Sequence, residues 1–270
     1  MTERLGIEHL SVFGLPPVEF VHLVADLGCR HLATGLEPMS CNPHGYRPFS
    51  LRDDAALRRE MVAAMRDRDV SISLGEGFGV RHGHDIEDRQ HDLEVMAELG
   101  ATRVNTITMD RDLGRSLDQF ATLAEMAAAL GMETTVEFGP GLSVGDLPSA
   151  VAAVRHVGRP DFRLLIDTMH LVRTGGRAAD IAALDPSLIG YVQLCDVPVE
   201  SRLPTYLEEA MYERMVPGQG ELPLREILTA LPPDVIVGLE VPLRSQAEAG
   251  VGPEARLRPC VDAARALLRA

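Results

Sequence analysis

Short apolar runs that stop at an acid recur through the second half of this chain. No other feature restricts the fold as strongly. Arg163-Leu164-Leu165-Ile166-Asp167-Thr168-Met169-His170 is one, and Thr134-Thr135-Val136-Glu137-Phe138, Tyr191-Val192-Gln193-Leu194-Cys195-Asp196 and Val235-Ile236-Val237-Gly238-Leu239-Glu240-Val241 repeat the shape. An apolar run without alternation reads as a strand covered on both faces, as in a parallel sheet. A carboxylate at its exit stands at the sheet end where α/β proteins place their chemistry.

The first half supplies matching units. Strands are expected over 5–12, with His9 inside the first, and over 31–36, 70–74 and 103–109. Helices are expected over 17–28, 53–68, 85–99, 116–130, 147–157, 178–184, 222–230 and 254–268. Leu27-Gly28, Leu99-Gly100 and Leu130-Gly131 each end a helix shortly before a strand, as glycine does at a helix C-terminus. Strict alternation gives a parallel sheet, and eight βα units suit a single (β/α)₈ barrel spanning 1–270. A doubly wound open sheet is the alternative. It wants G-x-G-x-x-G after its first strand, and Ser11-Val12-Phe13-Gly14-Leu15-Pro16 does not supply it.

Composition narrows the partners. At 46% hydrophobic the chain can build a full core, but with 4% aromatics and no Trp that core must be aliphatic. A net charge of −14 repels a phosphate backbone, which argues against nucleic acid. Cys29, Cys41, Cys195 and Cys260 are scattered without C-x-x-C, so neither a zinc knuckle nor a disulfide framework is indicated. No apolar stretch approaches 18 residues, which excludes a helical membrane span, and Thr2-Glu3-Arg4 leads into a strand rather than a signal peptide. A cytoplasmic protein is expected.

In a barrel the C-terminal strand ends share one mouth, so Glu137, Asp167, Gln193 and Glu240 would meet there. Three converging carboxylates repel one another, and a divalent cation removes that cost. Their oxygen donors are hard ligands, which favours Mn²⁺ or Mg²⁺ over zinc. The glycine-rich exit Gly75-Glu76-Gly77-Phe78-Gly79 places Glu76 near a ligand. The long insertion after the seventh strand suits a lid or a homodimer contact. It carries Arg202 and Arg214, which would hold a polyhydroxyl or anionic substrate or else pair with Glu200, Glu208 or Glu213 at the rim.

Two other patterns are weaker. Gly141-Leu142-Ser143-Val144-Gly145 matches G-x-S-x-G, but Gly139-Pro140-Gly141 separates the serine from its strand, and a nucleophile elbow needs it on the strand-to-helix turn. His82 and His84, with His91 beyond them, read as a solvated loop capping a helix.

The strand-end segments, together with Pro217-Gly218-Gln219-Gly220-Glu221-Leu222, resemble the xylose-isomerase-like barrel superfamily of sugar and sugar-phosphate isomerases and epimerases over nearly the whole chain. The resemblance implies one divalent metal on Glu137, Asp167, Gln193 and Glu240, and substrate contact by the D-x-x-H histidine, His170. Most epimerases of the superfamily carry histidine where this chain has Gln193. Glutamine there resembles bacterial 3-dehydroshikimate dehydratases, some of which have a histidine where this chain has Gly139. The superfamily's apurinic-site endonucleases use further histidines, most of them absent here. The expected chemistry is a metal-bound enediolate on a sugar, sugar phosphate or cyclitol, with Glu137 and Glu240 moving protons. Isomerisation or epimerisation is the first reading, and dehydration the alternative. A non-catalytic sugar-binding barrel, or a scaffolding protein, would need no metal.

Overall fold

A computed structural model describes residues 4–269. Eight parallel strands close into a barrel in chain order: β1 (Leu5–Glu8), β2 (His31–Thr34), β3 (Ser71–Gly75), β4 (Arg103–Thr106), β5 (Glu133–Glu137), β6 (Phe162–Asp167), β7 (Ile189–Leu194) and β8 (Val237–Leu239). Closure is by β1 on β8, with Ile7 beside Leu239. Thr2 and Glu3, on which the expectation of no signal peptide partly rested, lie outside the described residues. No helix among the described residues is long and apolar enough to cross a membrane.

The barrel separates two cores. Ala33, Leu74, Leu165 and Tyr191 form the small one. The large one, aliphatic as the composition requires, contains residues such as Val21, Leu93, Leu123 and Ile227. Alternation along the strands explains the split, since successive side chains face opposite sides. Leu165 and Asp167, like Tyr191 and Gln193, are two apart and therefore share a face. The small apolar cluster thus continues into the acids and amide at the strand ends.

Several elements differ from the expectations. The first strand stops at Glu8, and His9 lies in a 3₁₀ turn, His9–Val12, rather than in the strand. The turn is pinned to the end of β8: Ser11 Oγ donates to Leu239 O at 2.9 Å and accepts from Val241 N at 2.8 Å. Phe13 then takes a left-handed conformation at φ 49° to leave it. β4 ends at Thr106, whose hydroxyl donates to Phe78 O at 2.7 Å. Three α-helices among the described residues lie outside the expected ranges, one of them Arg244–Glu248 after β8. Thr168–Arg173 begins directly on β6, and Tyr206–Tyr212 lies within the insertion after β7. The G-x-S-x-G serine does not head a helix. The helix Leu147–Val157 starts after Asp146, which forms a capping box with Ser149.

Candidate functional site

Glu137 and Asp167 are the last residues of β5 and β6, Gln193 is next to last in β7, and Glu240 follows β8 directly. Asp167 pairs in register with Gln193, so these two side chains emerge at one level, while Glu137 pairs with Leu165 and Glu240 stands two residues beyond Gly238, the partner of Gln193. All but Glu137 are buried outright.

Asp167 serves several partners. Its Oδ1 caps the helix Thr168–Arg173, accepting from Met169 N at 2.7 Å and His170 N at 2.9 Å. Its Oδ2 accepts from Arg214 Nη1 at 2.6 Å, and Arg214 Nη2 lies 2.9 Å from Glu240 Oε2. Arg214 is therefore no rim residue: it is 3% exposed and clamps two of the expected ligands. The rim acids have other partners, Glu208 pairing with Arg244 and Glu213 accepting from Ser245. Burial works to raise Asp167, but Arg214 and His170 outweigh it and hold the carboxyl at about 2. For Glu240 burial wins over the pull of Arg214, and its carboxyl titrates well above the ordinary range. The guanidinium thus keeps Asp167 ionised and leaves Glu240 as the acid that more readily carries a proton.

His170 joins the group through the short helix. Its Nε2 lies 3.2 Å from Glu137 Oε1, and its Nδ1 meets the hydroxyl of Tyr206. Glu137 as a carboxylate can only accept, so Nε2 carries the proton and Nδ1 accepts from Tyr206. Glu137 Oε2 also accepts from Asn105 Nδ2 at 2.7 Å. The unexpected helix in the insertion therefore reaches over the mouth and fixes the histidine ring. Gly139 makes room for that ring, because a Cβ there would stand 3.1 Å from His170 Cδ2.

Ligand atoms of Glu137, Asp167 and His170 lie within 4.8 Å of one another, close enough to share one ion. Gln193 adds a further sign. Its Nε2 donates toward Glu240 Oε1 at 3.2 Å and Glu8 Oε2 at 3.4 Å, while its Oε1 is buried with no hydrogen-bond partner. An orphaned buried carbonyl oxygen is costly unless something positive meets it. These donors therefore fit a divalent cation.

Glu8, Asn105, Tyr191 and Tyr206 are site residues that the sequence reading passed over. Glu8 carried the same signal as the others, an acid at the end of Leu5-Gly6-Ile7, and running the strand on to Val12 hid it. Glu8 is wholly buried, and burial pushes its carboxyl up to about 7 against the hydrogen bonds from Tyr191 and Gln193. Glu76 follows β3 as expected, with Asn105 Nδ2 at 3.4 Å from its Oε2. Burial and the nearby charge of Glu137 raise its carboxyl as well. Arg202 is exposed in the insertion, and no contact between it and these acids is seen among the described residues.

Two cavities meet at Glu76. One, about 130 Å³, is lined by Glu76, Asn105, Met109 and Glu137, and the other, about 270 Å³, by His9, Glu37, Arg52, Glu76, Arg89 and Asp92. Together they run from the ligand group toward the ends of β1 and β2.

The sequence profile described as xylose isomerase-like TIM barrel matches residues 21–260. The chain belongs to this family. A curated relative, 3-dehydroshikimate dehydratase of Pseudomonas aeruginosa, is 29% identical over 170 residues, covering 60% of this chain and 26% of that protein. The chain thus matches only about a quarter of that relative's length. Among solved structures, the IolI protein with a bound zinc atom superposes with a TM-score of 0.79 at 17% identity, covering 98% of both chains. D-psicose 3-epimerase in the presence of D-fructose gives 0.74 at 15% identity, covering 99% of this chain and 100% of the other. At such identities these two likenesses establish the fold alone.

Proposed function

We propose that the protein is a divalent-metal-dependent enzyme that moves a proton at a carbon beside a carbonyl, in a small polyhydroxylated substrate, with isomerisation or epimerisation as the outcome. The observation that carries this is the unpartnered Oε1 of Gln193 in a ring of acids. Glu137, Asp167, Gln193 and Glu240 would hold the ion, Mn²⁺ or Mg²⁺ by the hardness of their oxygens. When bound, it would supply Lewis-acid polarisation of the carbonyl. Glu137 and Glu240 stand on strands three apart around the ring and are the groups that take and return the proton. His170, oriented by Tyr206, would hold a substrate oxygen through Nε2 once Glu137, which that nitrogen now meets, turns to the ion. Glu76 and the cavity beyond it receive the rest of the substrate. There Arg52 is matched by Asp92 and Glu37, and Arg89 by Asp92. A wall with its charges already paired suits hydroxyl groups better than a phosphate.

Dehydration is the second reading, favoured by Gln193 and by the dehydratase relative. It needs the same proton abstraction followed by loss of a β-hydroxyl. A panel of ketoses, inosose-like cyclitols and 3-dehydroshikimate, incubated with Mn²⁺ or Mg²⁺ in D₂O, separates the outcomes. Isomerase chemistry places solvent deuterium in a product that has lost no water. Dehydratase chemistry generates a conjugated ultraviolet chromophore. Metal titration of Asp167→Asn and Glu240→Gln should show weakened binding. Metal bound normally in both variants would remove the site. Metal bound by the native protein, with neither product signal, would leave a sugar-binding barrel.

A further inference from the structure

We infer that Glu8 is a positioning residue for metal binding: it selects which end of the Gln193 amide faces the cation. The inference rests on the metal reading above and extends it to a residue on the opposite side of the barrel seam.

A glutamine ligand poses a problem that a carboxylate does not. Its amide has one end that binds a cation and one that repels it, and the two ends have nearly the same shape. Something must break the tie. In this barrel both oxygens facing the Nε2 end belong to carboxyl groups, Glu8 Oε2 at 3.4 Å and Glu240 Oε1 at 3.2 Å. With both carboxyls ionised, the state a neighbouring cation favours, turning the amide over would set its oxygen against those two acceptors and aim its two N–H bonds at the cation. The observed orientation satisfies the donors and leaves Oε1 as the buried atom without a partner.

Glu240 cannot do this alone, since it is itself an expected ligand and already pairs with Arg214. Glu8 is free of such duties and is held in place. Its Oε1 accepts from Tyr191 Oη at 2.8 Å, and that hydroxyl lies 3.1 Å from Ser73 Oγ. The space it fills is kept open by Gly238, where a Cβ would fall 1.6 Å from Glu8 Oε1. Strand β8 thus gives up a side chain so that the carboxyl of β1 can reach across to β7.

The test is a double-mutant cycle read as Mn²⁺ affinity by calorimetry on the full chain, with folding checked by thermal melts in EDTA. Glu8→Gln should weaken Mn²⁺ binding by about 10-fold or more, the usual scale for partners that orient metal ligands. Glu8→Asp keeps the charge but withdraws the carboxyl by one carbon. It should give the same loss, and it stands in if Glu8→Gln does not fold. In a Gln193→Glu background both ends of residue 193 are oxygens, no choice remains, and the Glu8 substitutions should no longer weaken binding. Undiminished affinity in Glu8→Gln and Glu8→Asp would overturn the inference. An equal loss in both backgrounds would also overturn it, because Glu8 would then act as a ligand or a generic support. A native protein that binds no Mn²⁺ would overturn the metal reading itself, a separate and recognisable failure.

Discussion

Replacing Arg214 by Met tests the electrostatic design of the mouth directly. The substitution keeps much of the side-chain volume and removes the only charge joining Asp167 to Glu240 among the contacts described. Asp167 is fully buried and titrates at about 2, below the ordinary aspartate value of about 3.9, so its ionised form stabilises the fold by about 2–3 kcal/mol at neutral pH. Stranding a buried carboxylate by deleting its partner costs about 3–5 kcal/mol in comparable cases, the same order. The sign with pH follows from the depressed value. The contribution is fully present above about pH 4, is about half gone by pH 3, and is lost as pH falls through 2. Urea unfolding in EDTA at pH 7 and at pH 3 should therefore show Arg214→Met less stable than the native chain by several kcal/mol, with the gap narrowing in acid. A loss below about 1 kcal/mol at pH 7, or a gap that does not narrow, would refute this assignment of the charges.

Two further outcomes follow from hydrogen bonds at the mouth. Asp196 is buried and receives Val197 N, Leu222 N and Gly218 N, at 2.9, 3.1 and 2.8 Å, so Asp196→Asn leaves one donor without an acceptor. It should cost about 1–3 kcal/mol in a urea midpoint measurement, and a neutral result would show that the turn over 217–222 is held by other contacts. Tyr206→Phe removes the hydroxyl that meets His170 Nδ1. Once a substrate is in hand, kcat should fall by about 10- to 100-fold with Mn²⁺ affinity unchanged, and an unaltered kcat would remove Tyr206 from the site.

The barrel was legible because its signals are local and repeated: apolar runs, glycine stops, and acids about one βα unit apart. Glu137, Asp167, Gln193 and Glu240 could be read for the same reason, each sitting at the end of a strand the pattern exposes. What escaped depends on pairings distant in sequence. Glu8 was hidden because the strand boundary is set by Ser11 bonding to Leu239 and Val241, over 220 residues away. Arg214 was foreseen as a substrate or rim contact, since nothing local indicates that its segment folds inward to Asp167. Asp196 has the look of a ligand, yet the close approach of Gly220, where a Cβ would lie 2.3 Å from its Oδ1, makes it the hub of the Pro-Gly-x-Gly turn. Tyr206 lies in a helix too short and too polar for its periodicity to announce.

The position of Arg214 in the chain also bears on synthesis. Glu137 and Asp167 leave the ribosome well before the cation that permits Asp167 to be buried, and a growing chain that has reached β6 carries a mouth of unmatched negative charge. Burying those acids early would cost several kcal/mol per ion. Asp167 can thus gain its buried partner only after residue 214 has emerged, and β8, which closes the ring onto β1, comes later still, beyond the helix Leu224–Ala230.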